Sequence, residues 1–186
     1  MNPRRARPQP TPVHRRGLTL VELLCVLAIS AVLLGGAWPM FLDLHARQAL
    51  QSQAALLETD VHFARSQALA SGRAVRLSVQ AVANGASCYV VHTGPAHACR
   101  CSGGGQAVCD VGSDLLRLAE QGGPSGIALA PVQRSVLFDP GKGTVTPTAT
   151  LRLTDTQGRA IHQIINIMGR VRTCTLTAGL GGLRPC

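Results

Sequence analysis

Arg15-Arg16-Gly17-Leu18-Thr19-Leu20-Val21-Glu22-Leu23-Leu24 is where a basic, proline-rich beginning gives way to a long apolar run. Residues 18–42 contain one charge, Glu22, and these 25 residues are enough to cross a bilayer as a helix. Arg4, Arg5, Arg7, Arg15 and Arg16 precede the run, which places the N-terminus in the cytoplasm and sends the remainder outward. Residues 1–17 have no apolar periodicity and read as a leader without stable structure. An ordinary secretory signal does not fit, because Thr19 and Glu22 interrupt the start of the apolar segment and no clean small-residue cleavage pattern follows it. Glu22 needs a physical account, since a carboxylate at the centre of a membrane helix costs on the order of 3 kcal/mol. Either another group offsets that cost or the side chain reaches water among the headgroups.

Moving outward, the helical pattern continues past residue 42. Leu50, Ala54, Leu57, Val61, Ala64 and Ala68 recur in steps of four and three, which defines one apolar face, while polar residues such as Gln51, Glu58 and Asp60 mostly decorate the other. Ser71-Gly72 provides a stop, with Gly as the left-handed cap. The resulting rod is about 80 Å long at 1.5 Å per residue, and Pro39 after Gly35 and Gly36 is expected to bend it near the outer membrane boundary. After Gly72 the period changes to alternating runs. Val75, Leu77 and Val79 mark one candidate strand, and residues 89–92, 136–138, 151–153, 161–167 and 171–176 mark others. Asn84-Gly85, Pro140-Gly141, Thr156-Gln157-Gly158 and Met168-Gly169 supply turn chemistry. Residues 94–126 are rich in Gly and Cys and read as a loop stapled by disulfides, with a short helix around residues 114–120. The expected class is α+β: a leader at 1–17, a membrane helix at 18–42, an amphipathic continuation at 43–71, and a small antiparallel β domain at 72–186 with the stapled loop at about 88–126.

The formal charge of +9 suggests nucleic acid until it is divided along the chain. Without the five leader arginines, 13 basic residues face 9 acidic ones, a net of +4. Seven cysteines in 186 residues point to an oxidising compartment. Cys25 lies in the apolar run and reads as a lone buried thiol. Cys88, Cys99, Cys101, Cys109, Cys174 and Cys186 form an even set that allows 15 connectivities. The expectation is Cys174 with Cys186, and pairing within the group from Cys88 to Cys109. Zinc on Cys99, Cys101 and Cys109 with His92 or His97 is the rival, although no C-x-x-C pair supports it.

The segment from Arg15 to Leu24 resembles the class III signal of type IV prepilins and type II secretion pseudopilins. The resemblance implies a membrane peptidase that cuts between Gly17 and Leu18 and methylates the new N-terminus, with Leu18 standing where the family usually has Phe. It also implies that Glu22 pairs with the freed α-amine of a neighbouring subunit and sets register in a filament of pilins or pseudopilins. Two further stretches narrow the match to the FimT/GspH group of minor pilins and pseudopilins. These are Phe63-Ala64-Arg65-Ser66-Gln67-Ala68, leading into Gly72-Arg73-Ala74-Val75-Arg76-Leu77, and the ending Gly169-Arg170-Val171-Arg172-Thr173-Cys174.

FimT-type proteins are associated with DNA uptake in natural transformation, and the G-R-x-R motif implies double-stranded DNA as a partner. Arg170 and Arg172 lie two apart in an extended segment, so they share a face and can grip successive phosphates. Arg184 and Arg159 are candidate helpers. The opposing reading is that paired arginines on a β edge merely discourage aggregation. Catalysis has little support, because no H-E-x-x-H, G-x-S-x-G or phosphate-loop pattern occurs. No cofactor or metal is expected. Within the family, a GspH-like pseudopilin acting in protein export is the alternative to a DNA-binding pilin.

Overall fold

The computed structural model describes residues 17, 19–82, 86–122, 126–131, 134–176, 180 and 182–186, apart from the side chains of residues 37 and 39. Residues 1–16 of the expected leader, Leu18 and the Asn84-Gly85 turn therefore lie outside the described residues, as does the Pro39 side chain on which the expected bend depends. The chain divides into two compact units, one ending at Leu42 and one spanning Asp43–Cys186.

A single helix, α1 (Leu20–Ser71), runs through both. In the first unit Leu20, Leu24, Leu27, Val32 and Leu34 are all exposed, as expected of a segment whose solvent is lipid. Cys25, expected to be buried, is a free and exposed thiol on this helix. In the second unit the apolar face read from the sequence is the one buried: Leu50, Leu57, Val61, Ala64 and Ala68 are each fully shielded. Gly72 ends the helix with φ of +63°, a conformation that costs a residue with a Cβ but not Gly.

Two five-stranded sheets follow. The first contains β1 (Val75–Ala81), β2 (Ser87–Thr93), β5 (Leu115–Gln121), β7 (Ser135–Phe138) and β8 (Val145–Thr146), in the order β5-β2-β1-β7-β8. The second contains β6 (Ala128–Pro131), β9 (Ala149–Thr154), β10 (Ala160–Ile165), β11 (Val171–Thr175) and β12 (Arg184–Pro185), in the order β12-β11-β10-β9-β6. A hairpin of β3 (Cys99–Gly103) and β4 (Gln106–Cys109) stands apart as a third, two-stranded sheet. All pairings are antiparallel except β11 with β12. Leu77, Val79, Tyr89 and Val91 of the first sheet and Leu151, Leu153, Ile161 and Ile165 of the second form one core with the helix. Polar anchors fix the sheets to the helix: Tyr89 donates to Asp60 at 2.8 Å, Thr173 donates to Glu58 at 3.0 Å, and the Gln163 amide donates to the Ala54 carbonyl. Burial, followed by the Asp60 carboxylate, pushes the Tyr89 phenol up.

The segment expected as a long loop with a helix at 114–120 is instead strand-rich. Leu115–Gln121 favours helix by composition, yet seven residues are too few to sustain one alone. The free edge of β2 offers these residues a ladder from Ser87 to His92, shifted in register once between Val91 and His92, and that pairing decides their conformation. The hairpin is bound by disulfides Cys88–Cys101 and Cys99–Cys109, and the Gln80 side chain bonds both the Cys99 carbonyl and the Cys101 amide.

Candidate functional site

At the membrane junction Gly17 is exposed, and a Cβ placed there would meet nothing within 4 Å. Thr19 caps α1: its hydroxyl accepts from the Glu22 amide at 3.3 Å, and its carbonyl receives the first helical bond, from Leu23, at 3.1 Å. Thr19-Leu20-Val21-Glu22 is thus spaced as a capping box, so Glu22 also favours the positive end of the helix dipole. The three-residue spacing of Thr19 and Glu22 already encodes this local role in the sequence.

The two stretches that suggested the FimT/GspH group meet in the folded chain. Arg65, from the helix end, donates through Nε to the Gly143 carbonyl at 2.9 Å. Gly169, which opens G-R-V-R, packs against it: a Cβ there would lie 2.8 Å from Arg65 Cδ and 3.3 Å from the Gly143 oxygen. Its φ is +71°, and its amide closes the β10–β11 turn onto the Asn166 carbonyl at 2.9 Å. The Asn166 side chain then accepts from the Arg170 amide, also at 2.9 Å. Gly169, expected as part of a DNA contact, is buried; it shapes the turn that presents Arg170. A Gly169→Ala chain should lose about 2 kcal/mol in thermal or urea unfolding, from left-handed strain plus the crowded Arg65. A loss below half that would mean the turn relaxes freely.

Arg170 and Arg172 are both exposed, with Val171 between them turned toward the core. Strand register extends this face. On β11, Cys174 and Arg172 point outward opposite His162 and Ile164 of β10, and these stand opposite Arg152 and Thr150 of β9. Arg184 pairs with Cys174 from β12. The Cys174–Cys186 disulfide, as expected, ties that terminal strand to the sheet. The outer face of the second sheet therefore gathers Arg152, Arg172 and Arg184, with Arg170 at its end, and no Asp or Glu side chain stands on it among the described residues. Burial, then the Arg152 guanidinium, holds the His162 imidazole below the usual histidine range. Arg152 was missed in the sequence because nothing local distinguishes it; only cross-strand register brings it beside the motif.

Arg159, expected as a helper, is corrected by its surroundings. It is only 8% exposed, donates through Nε to Asp155 at 2.6 Å, and bonds Asp43 of α1 through Nη1. It is committed to holding the β9–β10 turn on the helix. The zinc alternative is also displaced, because Cys99, Cys101 and Cys109 are all taken by disulfides. Ser78 and His92 approach to 3.0 Å, but both are buried and His92 Nδ1 faces the Thr93 carbonyl, so the pair is a satisfied core contact.

The model of the family described as type II transport protein GspH matches residues 53–169, and that of the prokaryotic N-terminal methylation motif matches residues 13–38. None of the curated proteins matches the chain. A crystal structure of the type IV minor pilin FimU from Pseudomonas aeruginosa (strain PAO1), in space group P21, is 21% identical over 67% of this chain and 87% of that one, with a TM-score of 0.48. The P65 form is 20% identical over 66% of this chain and 90% of that one, with a TM-score of 0.45. With the GspH match covering more than half of its length and a methylation motif at the head of the long apolar helix, the chain belongs to the GspH/FimT family of type IV pilin-like proteins.

Proposed function

We propose that this chain is a minor type IV pilin of the FimT type that binds duplex DNA through backbone phosphates and serves DNA uptake in natural transformation. The observation that carries this reading is the outer face of the second sheet, where arginines of three strands, Arg152, Arg172 and Arg184, share one surface with Arg170 just before β11 and with no Asp or Glu among them. Guanidiniums spaced across strands suit phosphate oxygens, and contacts to phosphate carry no sequence information. In this reading residues 1–17 are a leader removed by the prepilin peptidase, and residues 18–42 anchor the chain in the inner membrane before assembly. Residues 43–186, including the β domain at 72–186, lie in the periplasm and then on the pilus, with other pilins as partners. No step of this function requires catalysis or a cofactor.

The test is fluorescence anisotropy of a labelled duplex titrated with the full chain in detergent micelles. Arg170→Ala with Arg172→Ala should weaken binding about tenfold and lower the slope of log K against log salt by about 2, for two lost phosphates. Equal binding by variant and wild type would remove these arginines from the site. The second reading, a minor pseudopilin acting in type II secretion, is favoured by the description of the matching family. It predicts no duplex binding by the wild type at physiological salt.

A further inference from the structure

Register places one row of residues straight across the outer face of the second sheet. Arg184 stands opposite Cys174, Cys174 opposite His162, His162 opposite Arg152, and Arg152 opposite Ala130. Four strand spacings of about 4.8 Å make this row about 19 Å long, the rise of about six base pairs. It does not end on a blank edge. Ala130 also lines a cavity of about 630 Å³ whose wall carries Arg100, Arg134 and His97 together with the hydroxyls of Ser87 and Ser135.

The cavity lies between the start of β7 and β6. β7 pairs with β1 only as far as Ser78, and beyond it the Val79 amide bonds the Arg134 carbonyl at 2.8 Å. On the far side stands β6, whose Leu129 amide donates to Ser87 Oγ at 2.9 Å. That bond uses Ser87 as an acceptor and leaves its proton to donate. Arg100 and Arg134 are exposed, have no ion pair among the described residues, and no acidic side chain lines the wall. An anion with several oxygens matches this set of guanidinium and hydroxyl donors. No Phe, Tyr or Trp lines the cavity, so a stacked base does not fit it.

We infer that the cavity is a second phosphate-binding station on the same DNA path, taking a backbone phosphate of the duplex whose neighbouring phosphates lie along the Arg184–Arg152 row. This rests on the DNA-binding reading above and adds Arg100 and Arg134 to it, two residues outside the G-R-x-R motif. The interface then wraps from the outer face of the second sheet over the β6 edge, and binding depends on a track of arginines rather than on one motif.

The experiment uses the full chain in detergent micelles and a labelled duplex longer than the row. Arg100→Ala with Arg134→Ala should weaken binding about tenfold and lower the salt slope by about 2, with thermal unfolding unchanged because both side chains are exposed. Ala130→Glu, which removes no arginine, should weaken binding in the same direction by placing a carboxylate on the path. Should both variants bind as the wild type does while Arg170→Ala with Arg172→Ala binds less, the cavity is not part of the path and the DNA reading stands. If the wild type binds no duplex, both fall. Competition by inorganic phosphate at millimolar concentration that is equal for the wild type and the Arg100/Arg134 variant would likewise overturn the cavity's part.

Discussion

A Gly17→Val chain is expected to remain uncut: its intact mass from membranes should correspond to a start at Met1, whereas the wild type should begin at an N-methylated Leu18. The physical reason is access. A peptidase working beside the membrane needs the backbone of residue 17 in close approach, and Gly offers no side chain to hold it off. Misfolding does not compete as an explanation, because a Cβ at Gly17 would touch nothing within 4 Å and α1 begins only at Leu20. The consequence reaches Glu22. If Glu22 pairs with the freed α-amine of a neighbouring subunit, an uncut chain leaves that carboxylate without its partner, so the variant should accumulate in the membrane and be absent from sheared filaments. Glu22→Ala should separate the two steps, being cut normally yet poorly incorporated. A Gly17→Val protein of wild-type mass would place the cut elsewhere and remove the reason for the Glu22 pairing.

Arg159→Met is expected to destabilise the domain by about 3 kcal/mol, measured by thermal or urea unfolding of the full chain in detergent. Asp155 is only 9% exposed, and Arg159 is its charged partner. Two amides, of Gln157 and Arg159, also donate to its Oδ1 at 2.9 Å, but they do not neutralise it. Deleting the guanidinium leaves a buried carboxylate facing apolar methylenes, and the Asp43 anchor from α1 is lost with it. Adding Asp155→Asn should restore most of the stability, because the charge is removed while an acceptor oxygen remains for the amides. The alternative role makes the opposite prediction. If Arg159→Met unfolds like the wild type yet weakens duplex binding, the residue belongs to the interface after all.

Much of the fold was legible because it is local. The single charge in residues 18–42, the recurrence from Leu50 to Ala68 and the Ser71-Gly72 stop each depend on neighbours within a few turns, and the helix follows them. Residues 94–121 could not be read in this way. Their glycines and cysteines signal irregularity, and the leucines of 115–118 signal helix, but the free edge of β2 and two disulfides supply long-range partners that outweigh both. The same separation runs through the candidate site. Arg170 and Arg172 announce themselves by spacing two apart in an extended segment. Arg152 and the cavity beyond Ala130 do not, and Arg184, a candidate helper in the sequence, is aligned with them only by hydrogen-bond register across five strands, a property of pairs far apart in the chain. Arg159 looked no different from the others until burial gave it two carboxylates. The sequence by itself thus determined the long helix with its apolar first half, the buried face of its second half and the family, since periodicity and motif are carried by adjacent residues. Only the tertiary structure decided which arginines share a surface and which is an internal tie, because exposure and charge pairing are set by strands that meet after the chain has folded.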